Sequence, residues 1–136
     1  MKIGVEEKIW AGSTIIGVKP GGFLLVHNDF NLMEGLHRRI NVLLYLNEEW
    51  EESWQGHLEM WDRNNTRVVQ RIPPLFNRMS VFTVTDDAFH GHPEPLHSPQ
   101  GHNRYALQIV YYTREAPPSN NSPRAGDRRG SLASVV

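Results

Sequence analysis

Arg39-Ile40-Asn41-Val42-Leu43-Leu44-Tyr45-Leu46 is a mostly apolar run that ends in the acidic, aromatic Asn47-Glu48-Glu49-Trp50. A short apolar run of this kind, bounded by polar and turn-forming residues, reads as a β-strand. The same reading extends in both directions. Upstream, Thr14-Ile15-Ile16-Gly17-Val18 is β-branched and stops at the turn Pro20-Gly21-Gly22, and Phe23-Leu24-Leu25-Val26-His27-Asn28-Asp29 follows. Downstream come Gly56-His57-Leu58-Glu59-Met60-Trp61, Arg67-Val68-Val69-Gln70-Arg71-Ile72, Met79-Ser80-Val81-Phe82-Thr83-Val84 and Tyr105-Ala106-Leu107-Gln108-Ile109-Val110-Tyr111-Tyr112. Asp62-Arg63-Asn64-Asn65 and Pro73-Pro74 punctuate them. Short strands at roughly 8–12-residue spacing predict an all-β sandwich or barrel with antiparallel sheets. Helical periodicity is confined to a hint within the first dozen residues.

Composition bounds what such a domain can do. The chain has 136 residues, room for one domain. Lys plus Arg total 14 against 15 Asp plus Glu, so a general nucleic-acid binder is not expected. There is no cysteine, which excludes disulfides, cysteine nucleophiles, zinc–thiolate sites and iron–sulfur clusters. No apolar run approaches the ~18 residues of a membrane helix, and the opening residues carry no signal-peptide pattern, so the expectation is a cytoplasmic protein without membrane contact. Composition shifts near Thr113. Residues 1–113 form the expected domain, and residues 114–136, rich in Pro, Ser, Asn and Arg, read as a disordered tail.

Seven histidines in a cysteine-free chain point to chemistry. Residues i and i+2 of a strand share a face, so His27 and Asp29 would project together as an imidazole and a carboxylate. Without a partner, such a pair is as easily a strand-end carboxylate turning with Asn31 beside an exposed histidine. A third ligand would complete a two-histidine, one-carboxylate facial triad of the kind that holds non-haem Fe(II). His90 and His92, in Phe89-His90-Gly91-His92-Pro93-Glu94-Pro95, compete for that place, or are loop histidines held by the prolines. Arg104 heads the last apolar run and is either an exposed cap or a planar fork aimed at a carboxylate in a pocket. Tyr45 would ordinarily be a core tyrosine with its hydroxyl at the rim.

Taken in order, the motifs resemble the Fe(II)- and 2-oxoglutarate-dependent dioxygenases of the prolyl hydroxylase-like group. They are Pro20-Gly21-Gly22-Phe23, His27-Asn28-Asp29-Phe30-Asn31, Arg38 through Asn47, Gly56 through Trp61, Asn77 through Phe82, His90 through Pro95, and Arg104-Tyr105-Ala106-Leu107. The resemblance covers residues 14–113 and rests on the order and spacing of these motifs. It implies a double-stranded β-helix, a jelly-roll or cupin-like barrel of two antiparallel sheets. It also implies His27, Asp29 and His90 as iron ligands, because the distal histidine of the group is followed directly by glycine, and it leaves His92 at or near the co-substrate. Arg104 then pairs with the distal carboxylate of 2-oxoglutarate, Tyr45 adds a hydroxyl, and Leu58 forms an apolar wall.

The implied reaction consumes 2-oxoglutarate and O2 at Fe(II), with ascorbate as a reductant, and hydroxylates a C–H bond while releasing succinate and CO2. No side chain beyond the metal ligands is needed as a catalytic residue. The implied substrate is a prolyl residue of a peptide or protein, or else a small molecule, received by the loops 31–35 and 50–54. The chain departs from the group at Val18, where many members have tyrosine. It also has only about a dozen residues ahead of the first strand where the group has buttressing helices. Little or no helical buttress is therefore expected, leaving a sheet face through which copies could associate. The alternatives are a cupin-like metal or small-molecule binder and an inactive oxygenase-like module.

Overall fold

The computed structural model describes residues 9–117 and the segment Ser134–Val135. Ten strands and one 3-10 turn make up its regular structure: β1 (Ile9–Val18), β2 (Leu24–His27), β3 (Leu32–Met33), β4 (Leu36–Tyr45), the turn Glu52–Trp54, β5 (Leu58–Trp61), β6 (Val68–Ile72), β7 (Met79–Thr83), β8 (His90–His92), β9 (Arg104–Thr113) and β10 (Ser134–Val135). The larger sheet runs β1-β9-β4-β7-β10, with the short β3 also on β4. The smaller sheet runs β2-β8-β5-β6, and every pairing is antiparallel. This is a double-stranded β-helix. No α-helix occurs among the described residues, and none there is long and apolar enough to cross a membrane.

Alternation along the strands sets what faces the interior. On β4, Asn41, Leu43 and Tyr45 turn inward; on β7, Ser80 and Phe82; on β9, Arg104, Ala106 and Val110. The smaller sheet answers with Leu58, Met60 and Ile72, and Tyr45, Leu58, Met60, Ile72, Phe82 and Ala106 form one core cluster. The polar inward residues flank that cluster: Asn41 stands level with Val110 on β9, and Arg104 lies toward the other end of β9, beyond Ala106.

Several strand limits differ from those read in the sequence. β1 begins at Ile9, because its long pairing with β9 runs from Ile9↔Thr113 to Val18↔Arg104; the helical hint in the first dozen residues gives way to strand from Ile9 on, and residues 1–8 lie outside those described. Strand β2 ends at His27, short of Asp29, and its pairing with β8 shifts register between Leu24 and His27. Of the expected tail, residues 114–117 are irregular, with Pro117 buried, and residues 118–133 lie outside those described. Ser134–Val135 pairs with the free edge of β7 opposite Val81 and Ser80.

Candidate active site

His27 and His90 come from neighbouring strands that meet in register, His27 directly opposite His90. A side chain on the intervening Gly91 would collide with the backbone of β2, its Cβ falling 2.8 Å from the Leu24 carbonyl oxygen. Glycine thus lets β8 sit close to β2 and lets His90 and His92 project to one side. The two rings of His27 and His90 lie 4.5 Å apart, centre to centre.

Each ring is oriented from behind. His27 Nδ1 lies 2.7 Å from the Leu25 carbonyl oxygen, and His90 Nδ1 lies 2.9 Å from that of Ala88. With Nδ1 turned to a carbonyl, Nε2 is the nitrogen each ring presents to the interior, the arrangement that metal-binding histidines use. Between the two stands Asp29, buried, its Oδ2 3.5 Å from His90 Nε2 and its Oδ1 3.8 Å from His27 Nε2. The three donor atoms lie within 4.8 Å of one another.

Asp29 reaches this place without a strand to carry it. The loop after β2 is tied down by Asn28, whose Nδ2 donates to the Asp86 carbonyl at 3.0 Å, and by the Asn31 amide, which donates to the Asp29 carbonyl at 2.8 Å. The carboxylate itself receives a 2.7 Å hydrogen bond from Asn41 Nδ2 and a 2.9 Å contact from Arg38 Nη1. Burial alone would push its pKa up. Hydrogen bonding from His90 and Asn41, with the charges of His90 and Arg38, outweighs burial and holds the carboxyl well below its ordinary range.

These groups open on a cavity of about 320 Å3 between the sheets. Leu58 and Val18 line its walls, as do His92 and Arg104. Arg104 is no exposed cap: it is 5% exposed, its Nε donates to the Gly56 carbonyl at 2.7 Å, and its guanidinium lies 5.1 Å over the Tyr45 ring. Gly56 makes this possible, since it holds φ at +75° and a Cβ there would press on Leu96, Trp50 and Arg104 itself. No carboxylate among the described residues pairs with Arg104. Tyr45 is fully buried and does not line the cavity; its hydroxyl faces Arg104 and Ser80 without making a hydrogen bond, and the Ser80 hydroxyl is also unpartnered. Burial pushes the Tyr45 phenol pKa up, against the attraction of Arg104.

A buried cation without a counter-ion beside an unpaired hydroxyl is a costly arrangement unless an anion fills it. The residues present therefore fit both groups that this chemistry needs: a nitrogen, nitrogen, oxygen donor set for a divalent metal, and an anion-seeking pocket next to it. The sequence had brought His27, Asp29, His90, Tyr45, Leu58 and Arg104 under one heading, and the fold gathers all of them in one region between the sheets. It had not singled out Asn41 and Arg38 as the partners of Asp29. A signal existed for Asn41, the one polar side chain between Ile40 and Tyr45, at a position that alternation aims inward.

Residues 13–112 match the 2OG-Fe(II) oxygenase superfamily, and the chain belongs to it. Solved structures with the same fold include a prolyl-4-hydroxylase from Pseudomonas putida, 22% identical with a TM-score of 0.60 over 85% of this chain and 59% of that one. A prolyl hydroxylase from Trichoplax adhaerens, solved with a peptide fragment of the oxygen degradation domain of hypoxia inducible factor, is 27% identical with a TM-score of 0.58 over 75% of this chain and 44% of that one. A prolyl 4-hydroxylase from Phytophthora capsici is 23% identical with a TM-score of 0.56 over 79% of this chain and 33% of that one. This chain thus spans between a third and three-fifths of the length of these structures. No curated protein matches it.

Proposed function

We propose that residues 1–113 form a 2-oxoglutarate-dependent dioxygenase domain that hydroxylates a C–H bond, most naturally that of a prolyl residue in a peptide. The observation that carries the reading is one juxtaposition: the His27, Asp29 and His90 donor cluster and the buried, carboxylate-free Arg104 share a single cavity. His27 and His90 would bind Fe(II) through Nε2 and Asp29 through a carboxylate oxygen, leaving the remaining positions open to small ligands. The chemistry that bound Fe(II) would supply, with 2-oxoglutarate and O2, is an oxidation that puts one oxygen atom on the C–H carbon and the other on succinate as CO2 leaves.

The side chains of this chain orient and shield. Arg104 offers its guanidinium to the distal carboxylate of 2-oxoglutarate, and the neutral Tyr45 hydroxyl adds a donor without adding charge. Leu58, with Val18 opposite, keeps the slot apolar, so the carboxylate meets Arg104 in a water-poor setting where the attraction is strong. Val18 offers no hydroxyl where many relatives have tyrosine, which puts more of the anchoring on Arg104 and Tyr45. No proton transfer by a side chain is required.

A peptide substrate is favoured by the Trichoplax protein's peptide complex and by the exposed apolar side chains Phe23, Leu24, Leu32 and Met33 on the segments that flank His27 and Asp29. Cytoplasmic action and ascorbate as reductant belong to the same reading. The test is succinate release from 2-oxoglutarate with Fe(II), scored against a panel of proline-containing peptides. Peptide-stimulated succinate supports the proposal. Succinate formed only with sugars or other small molecules would move the substrate class, and none with any would leave an inactive oxygenase-like module.

A further inference from the structure

Strand β8 presents two imidazoles to one side, and only one of them has its nitrogens occupied. His90 turns Nδ1 to the Ala88 carbonyl and Nε2 to Asp29. His92 pairs in register with Leu24 rather than with His27, so it sits a step away from the donor cluster along the strand. It is 4% exposed, it lines the same cavity, and its Nδ1 is buried without a hydrogen bond. A buried polar atom left in that state costs free energy unless something occupies it.

The surroundings narrow what that occupant is. His92 shares the cavity with Arg104, and an imidazole Nδ1 left open there can serve as an N–H donor. Arg104, which lines the same cavity and has no carboxylate partner, offers only donors, and its guanidinium packs over the Tyr45 ring. A guanidinium with no carboxylate partner beside an imidazole with an open nitrogen calls for a ligand that accepts, with at least two oxygen atoms.

We propose that His92 is a binding residue for the co-substrate: its Nδ1–H donates to a carboxylate oxygen of 2-oxoglutarate, alongside the Arg104 guanidinium. The inference rests on the co-substrate reading given above. It separates the duties of the two histidines of β8, His90 for the metal and His92 for the organic acid. It also supplies a donor on the β2–β8 side of a pocket that lacks a hydroxyl at Val18.

The test is calorimetric titration of 2-oxoglutarate into the full chain loaded with Mn(II), which binds without turning over. His92→Leu is expected to weaken 2-oxoglutarate binding about tenfold, equivalent to about 1.4 kcal/mol. His92→Asn, whose amide nitrogen falls near the place of Nδ1, is expected to regain most of that loss. His92→Gln, whose amide lies further out, is expected not to, and it replaces the leucine variant should that fail to fold. Mn(II) affinity measured before 2-oxoglutarate is added should be the same in the parent and all variants. Parent-like 2-oxoglutarate binding by His92→Leu or His92→Gln would overturn the assignment, and loss of Mn(II) affinity would make His92 a metal ligand instead. A parent that binds Mn(II) but no 2-oxoglutarate would remove the co-substrate reading itself and this inference with it.

Discussion

Arg38 and the buried Asp29 form an ion pair, Nη1 to Oδ1 at 2.9 Å, and the other carboxylate oxygen accepts from Asn41 at 2.7 Å. Both oxygens are therefore engaged before any metal arrives, one by a charge and one by an amide. The two partners act in opposite directions on a divalent cation. Asn41 fixes the carboxylate and brings no charge, so Asn41→Ala should weaken Mn(II) binding about 10- to 100-fold, the usual cost of losing a group that orients a ligand. Arg38 places a positive charge beside the ligand oxygen, so Arg38→Ala should tighten Mn(II) binding severalfold. Equilibrium dialysis with Mn(II) checks both. A fall of equal size in the two variants would show that Arg38 only orients.

The three donors should be close to indispensable one by one. Replacing His27, Asp29 or His90 by alanine removes one of three protein–metal bonds and should lower Fe(II) or Mn(II) affinity by 100-fold or more, in line with more than about 2.7 kcal/mol. Electron paramagnetic resonance of free Mn(II) reads this directly. A His90→Ala protein that binds as the parent does would move the distal ligand elsewhere.

Tyr45 gives a signature at alkaline pH. Its pKa is raised by burial, so between the ordinary value of 10.0 and the higher folded value the unfolded chain has lost a proton that the folded chain keeps. The folded state then binds more protons than the unfolded one, and stability falls as pH climbs through that window. Just above pH 10 the folded parent should show little more phenolate absorbance than Tyr45→Phe, since burial keeps Tyr45 protonated past the ordinary value. The parent should also lose stability from about pH 10 upward more steeply than Tyr45→Phe. A phenolate signal lower by one tyrosine in the variant would show that Tyr45 titrates freely.

The fold was legible because short apolar runs bounded by turn residues recur along the chain, with a clear two-residue alternation in β6 and β7. What escaped was the short and the irregular. Strand β8 has three residues, two of them histidine and one glycine, so no periodicity could announce it; its place is set by the close approach of the β2 backbone to Gly91. Asp29 was expected on the strand with His27, but β2 ends at His27, and long-range bonds from Asn28 to Asp86 and from Asn41 to Asp29 hold the carboxylate in position. Such bonds join residues far apart in the chain, and local sequence carries no trace of them. Arg104 shows the same limit: an exposed cap and a buried fork have the same sequence, and only the Gly56 carbonyl and the Tyr45 ring decide between them.

The central claim is that the donor cluster and Arg104 are halves of one site. It is tested most directly by 2-oxoglutarate affinity with and without Mn(II), in the parent and in Arg104→Ala. The account predicts tight binding only when the metal is present, because chelation and the guanidinium act on the same molecule. Arg104→Ala should weaken it by about 10- to 150-fold, the loss of hydrogen bonds to a charged group at about 1.5–3 kcal/mol, with Mn(II) affinity itself unchanged. Binding of 2-oxoglutarate that ignores the metal, or that survives Arg104→Ala undiminished, would contradict it.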